Sequence, residues 1–144
     1  MKKKKLMTLT FKRVIPAAPA AVYDAWLSLK ANCGPWHDAM AREFKPKQGG
    51  LYYFLHGSRK DPIPHFGRFV KLERGKQIKM TWMSPYTHGT ESELQVDLKK
   101  KGAGTVLTLK HAKLSNDKEG WAHNDGWKYY MDEAVKHFQG KAKR

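Results

Sequence analysis

Residues 124–138 read Asn124-Asp125-Gly126-Trp127-Lys128-Tyr129-Tyr130-Met131-Asp132-Glu133-Ala134-Val135-Lys136-His137-Phe138. Within them Trp127, Tyr130, Met131, Ala134 and Phe138 recur at i, i+3, i+4 spacing, which places them on one stripe of a helix. Lys128, Asp132, Glu133 and Lys136 take the opposite side. Asn124 or Asp125 is placed to cap the start. The spacing predicts a long amphipathic helix whose aromatic stripe must be buried against another element.

The chain upstream supplies that element. Residues 6–15 alternate, with Leu9, Phe11 and Ile15 on one parity, and predict a half-buried strand that Pro16 ends. Ala17-Ala18-Pro19 opens a helix carrying Val22, Ala25, Trp26 and Leu29 on one face, and Gly34-Pro35 stops it. A turn or second short helix over Trp36–Ala39 follows. Strands are then predicted over Ala41–Lys45, Leu51–His56, His65–Glu73, Gln77–Met83, Glu91–Leu98 and Thr105–His111. Between them lie Pro46–Gly50, a polar loop Gly57–Pro64, Arg74-Gly75, Ser84–Thr90 and Lys100–Gly104. Short loops make successive strands antiparallel neighbours. The reading is α+β: a curved antiparallel sheet of about six to seven strands, two short helices after the first strand, and a long C-terminal helix across the sheet. A bent sheet round one helix leaves a cleft at one end, where small molecules bind.

The 144 residues suit one domain, 1–144, with the basic residues 1–5 as an N-terminal tail. The 28 Lys plus Arg exceed the 13 Asp plus Glu, for a net charge of +15, a field that would draw an acidic protein or an anionic surface. Much of that charge sits in runs at Lys2–Lys5, Lys99–Lys101 and Lys141–Arg144, which read as solvated ends and turns. The single cysteine, Cys33, forbids an internal disulfide and fits a cytoplasmic setting. Leu6–Phe11 is too short and Thr-rich for a secretory segment, and no stretch reaches the ~20 apolar residues of a membrane helix. An integral membrane protein is therefore not expected.

The pattern resembles the START-like SRPBCC superfamily and, within it, the activator of heat-shock-protein ATPase homologue family. The resemblance runs through Arg13, Ala18-Pro19, Val22–Trp26, Trp36, Gly49-Gly50 with Tyr52 and Phe54, His65-Phe66-Gly67, Met80-Thr81-Trp82, Gly104-Thr105 with Leu107, Leu109 and His111, and His123 with Gly126-Trp127. The order and spacing of these pieces carry it, since none is diagnostic alone. It implies a helix-grip (START/Bet v-like) fold with a hydrophobic pocket. It implies no single activity, because the superfamily includes lipid carriers, cyclases and co-chaperone domains. The namesake co-chaperone carries an additional domain for which this chain has no room, so that role is not expected.

The expected function is a small-molecule binding module for a hydrophobic or aromatic ligand, with Trp36, Tyr53, Phe69, Trp82, Leu109, His111, Trp127 and Tyr130 as wall residues. Two alternatives stand beside it. One is a cyclase- or hydrolase-type enzyme using His65 or His111 as a base. The other is a chaperone-associated or polyanion-binding protein using the basic surface. No metal site is expected: the seven histidines are dispersed, without His-Glu-x-x-His or Cys-x-x-Cys spacing. No cofactor is expected, since no phosphate-binding glycine loop precedes a helix, and no specific nucleic acid, since no recognition signature is present. Cys33, between Asn32 and Gly34, has no neighbouring base to activate it.

Overall fold

A computed structural model describes residues 5–37, 39–57 and 60–142, excepting the side chains of residues 42, 141 and 142. The basic run Lys2–Lys4 lies outside the described residues. Strand β1 (Leu6–Ile15) leads to helix α1 (Pro19–Trp26). The chain then meanders through β2 (Met40–Phe44), β3 (Leu51–Gly57), β4 (Pro62–Glu73), β5 (Gln77–Trp82), β6 (Ser92–Lys101) and β7 (Gly104–Ser115). Helix α2 (Lys118–Ala142) closes it. The seven strands form one antiparallel sheet in the order β1-β7-β6-β5-β4-β3-β2, so only β1 pairs away from its neighbour in sequence. This is the α+β helix-grip architecture.

Alternation decides which side is buried. Leu9, Phe11 and Ile15, then Leu94, Val96 and Leu98, then Leu107, Leu109 and His111 all face the core. The alternation of β7 stops at His111 because a bulge follows: Lys113 adopts a positive φ of 61°, and the pairing with β1 shifts there. One extra residue reverses parity, so Leu114 takes the next inward place. Gly67 on β4 is imposed by its neighbours. A Cβ there would lie 2.4 Å from the Thr81 carbonyl oxygen and 2.7 Å from the Tyr52 ring, which closes over the gap and bonds the same carbonyl.

Four expectations need correction. Helix α1 ends at Trp26, so Leu29 lies beyond it and is 40% exposed. Residues 31–37 are turns, and no second helix forms there. The Trp36 indole N–H, bonded to the Trp26 carbonyl at 2.8 Å, ties this segment to the end of α1. Strand β4 begins at Pro62, because Pro62 and Pro64 sit opposite Gly57 and Leu55 in the pairing with β3. Helix α2 begins at Lys118, six residues before the expected Asn124. Asp117 is its cap, accepting the Gly120 N–H at 2.9 Å, and Gly120 is required because a Cβ would collide with the Ser115 carbonyl. None of the helices among the described residues is long and apolar enough to cross a membrane.

Candidate ligand cavity between the sheet and the C-terminal helix

The two halves of α2 do different work. Met131, Ala134 and Phe138 are buried and fill one end of the grip. The N-terminal half presents Ala122, His123, Gly126, Trp127 and Tyr130 to a cavity of about 250 Å³. These positions share one helical face at i, i+1, i+4, i+5 and i+8. Opposite them stand Phe54 and His56 of β3, Ile63 and His65 of β4, and Trp82 of β5. Pro35 and Tyr86 complete the rim. Phe54 pairs with His65, and His56 with Ile63, across the β3–β4 ladder, so one inward row makes that wall. Among the described residues no charged side chain lines the cavity.

The expected wall residues separate into two groups. Trp82, Trp127 and Tyr130 line the cavity, and so does His65, which was expected as a candidate base. Trp36, Phe69, Leu109 and Tyr53 do not. Trp36 is packed edge-on against Trp26, Tyr52 and Phe54, with Phe44 at 4.9 Å and Phe69 at the far side. This aromatic cluster plugs the grip where α1 closes it, and Phe69 is fully buried inside it. Leu109 is likewise core. Tyr53 has the wrong parity, since Tyr52 and Phe54 face in, and its ring lies beside Phe66 on the other face. That parity was legible in the sequence. Ala122 and His123 were not, because the polar stretch before Gly126 hides the first two turns of α2.

His111 stands behind the cavity wall, fully buried. The Trp127 indole N–H can only donate, and it reaches His111 Nδ1 at 2.9 Å. His111 Nε2 therefore carries the hydrogen and donates to Ser92 Oγ at 2.7 Å. Ser92 Oγ in turn donates to the Trp82 carbonyl at 2.5 Å. The chain Trp127–His111–Ser92–Trp82 ties the Trp127 indole to the backbone of Trp82, and both His111 nitrogens are committed. Burial pushes the His111 pKa well down, with the neighbouring His123 and His65 adding to the effect, so the ring is neutral. A base needs a free lone pair, and His111 offers none.

His65 is stacked on Phe54, with centroids 4.9 Å apart and planes within 8°. Its Nδ1–H donates to the Ile63 carbonyl at 3.0 Å, which leaves the lone pair on Nε2. Burial lowers its pKa to about 4, with smaller contributions from His56 and His123. Such a ring is a weak base at neutral pH but a competent hydrogen-bond acceptor. His56 Nε2 and the Tyr130 hydroxyl bond each other across the mouth, joining β3 to α2. His123 donates from Nδ1 to the Gly120 carbonyl at 3.0 Å, and burial lowers its pKa as well. Its Nε2 and the Trp82 indole N–H are shut off from solvent, without a partner among the described residues. Each such atom costs roughly 1–3 kcal/mol.

Elsewhere, His88, Asp117 and Glu119 bring ligand-type atoms within 4.8 Å of one another. Asp117 is already engaged as the α2 cap, and the amide end of a helix opposes a cation, so the cluster is accounted for as a helix start. Cys33 is buried, its thiol pushed up to about 12 by burial.

The family "Activator of Hsp90 ATPase homolog 1-like protein" matches residues 16–139, and the chain belongs to it. Solved structures share its fold at low identity. A Chromobacterium violaceum protein superposes with TM-score 0.78 at 20% identity, over 91% of this chain and 96% of that one. A Staphylococcus aureus protein of unknown function gives 0.76 at 17%, over 99% of each chain. The protein Ara h 8.0201 gives 0.72 at 7%, over 94% of this chain and 99% of that one. No protein of curated function matches the sequence. The fold is consistent with a ligand-binding module.

Proposed function

We propose that this protein is a small-molecule binding module holding a compact hydrophobic or aromatic ligand between the sheet and α2. The observation that carries this reading is the cavity of about 250 Å³ walled by Phe54, Ile63, Trp82 and Trp127. An apolar cavity of ~150 Å³ takes up benzene. The present one is larger by about one more ring, and too small for a two-chain lipid. Binding would come mainly from burial of apolar area, at roughly 25 cal/mol per Å².

Thermal denaturation with naphthalene tests the reading. At a hundredfold excess over Kd the ligand stabilises the fold by about 2.7 kcal/mol. At roughly 3 °C per kcal/mol, that raises Tm by about 8 °C. Gly126→Leu separates cavity binding from surface binding. Gly126 sits on the rim, and a Cβ there meets no atom within 4 Å. A side chain can start there without a clash, and leucine favours the helix by up to ~1 kcal/mol and narrows the mouth. The variant is expected to melt higher than the wild-type protein and to lose the naphthalene shift. No shift in the wild type, or an undiminished one in Gly126→Leu, would overturn the proposal.

A further inference from the structure

The side of the sheet turned away from α2 carries a field of lysines. Leu9, Phe11 and Ile15 point inward, so Thr10, Lys12 and Val14 point outward, beside the outward residues of the next strands. Lys110 lies between Thr10 and Gln95 in the ladder, and Gln95 lies opposite Lys79. Two residues along, Thr108 is flanked by Lys12 and Asp97. Two further on, Val106 is flanked by Val14 and Lys99, and Lys101 ends β6 opposite Gly104. Lys12, Lys79, Lys99, Lys101 and Lys110 therefore share one face of about 14 by 20 Å. Among the described residues none of these five has a carboxylate in ion-pair reach, whereas Arg13, Arg68, Arg74 and Lys113 each have one. Asp97, in their midst, has its two oxygens held at 2.7 Å by the neutral amides of Gln77 and Gln95, and pairs with no lysine. Val14 is 54% exposed at the border of the field.

We infer that this outer face docks the protein reversibly on an anionic bilayer surface. Charge complementarity is the first argument: the five ammonium groups are free to meet lipid headgroups, and a polybasic cluster of this size suffices for reversible attachment. The second is the make-up of the face. None of the outward residues of β1, β5, β6 and β7 is aromatic, so a nucleic-acid base finds nothing to stack on. The face is the convex side of a sheet bent round α2, and a duplex, itself convex, would meet it at few phosphates. A bilayer yields to such a bulge. Its headgroups surround the ammonium groups, while Val14 and the lysine stems enter the boundary with the acyl chains. The cavity lies on the other side of the sheet, so this inference does not depend on the binding-module reading.

Co-sedimentation with vesicles at about 0.15 M NaCl tests it, using phosphatidylcholine alone and phosphatidylcholine with about three parts in ten of phosphatidylserine. The protein is expected to sediment with the second and not with the first. The double variant Lys12→Gln with Lys110→Gln is expected to lose about 20-fold in affinity, at roughly fivefold per lysine. Lys118→Gln with Lys128→Gln removes the same charge from α2 and is expected to change affinity less than about threefold. Equal losses in the two pairs would overturn the inference, since net charge alone would then explain the binding. Val14→Thr keeps the charge and the β-branched shape, and is expected to weaken vesicle binding about threefold. An unchanged affinity in Val14→Thr, or a DNA duplex that binds more tightly than the vesicles at the same salt, would overturn the bilayer as the partner. Naphthalene binding is expected to be the same in the wild-type protein and in the Lys12→Gln with Lys110→Gln variant, so the cavity and the outer face are tested separately.

Discussion

His111→Ala is expected to lower stability by about 4 kcal/mol, or Tm by roughly 12 °C. The substitution empties a fully buried site and strands the Trp127 N–H, which has His111 Nδ1 as its acceptor. Ser92 Oγ loses its donor but keeps its bond to the Trp82 carbonyl, so the damage falls mainly on the helix side. His111→Phe separates the two causes. It retains a ring and so restores packing, yet leaves the indole N–H unsatisfied, and is expected to cost about half as much. The functional consequence distinguishes a bracket from a base. Both variants free the Trp127 ring and should weaken naphthalene binding, because the ring is cavity wall. A base acting on bound substrate would instead lose turnover with binding intact. Urea melts with parallel naphthalene titrations measure both quantities. Melting of His111→Ala within 3 °C of the wild-type protein would refute the bracket.

The fold was legible because its signals repeat. Each strand declared itself by alternation, and the aromatic stripe of the last helix required an apolar surface of the kind the meander supplies. What the sequence obscured were places where one residue type serves two masters. The bulge at Lys113 reverses parity without a glycine to mark it. Nothing in the local pattern showed that α2 reaches back through Gly120, which is there for clearance over the Ser115 carbonyl. Pro62 and Pro64 read as loop, yet pair with Leu55 and Gly57.

The cavity was legible in part, for a related reason. Trp82, Trp127, Tyr130 and His65 follow from parity and helix face alone. Trp36 and Phe69 share the composition of a wall, but closure by α1 turns their end of the grip into solid core. Which end of a gripped helix stays open depends on where α1 docks, and no local periodicity encodes that. The tautomers of His65, His111 and His123 are also tertiary facts, each set by the group its other nitrogen meets.

Acidification supplies the second large effect. Stability is expected to fall by at least about 3 kcal/mol between pH 7 and pH 4, with His65 alone accounting for that amount. Above pH 6.5 neither the folded nor the unfolded chain protonates these rings. Below it the unfolded chain binds protons at His65, His111 and His123, whose folded pKa values are all depressed by burial. Stability is therefore complete above the unfolded pKa and is lost as pH falls toward the folded values, near 4 for His65. Each ring contributes a slope approaching ~1.4 kcal/mol per pH unit within that window. The large positive charge pushes in the same direction, so a control is needed. In 1 M salt, where the screening length is about 3 Å, surface repulsion is suppressed while the cost of charging a buried ring persists. Urea melts in 1 M NaCl from pH 7.5 to 4.5 should keep the slope, and His65→Phe should flatten it by about one proton. A stability flat to pH 5 in high salt would mean that the rings are not held neutral by burial. The uncharged cavity wall, and the hydrophobic ligand proposed for it, would then lose their physical basis.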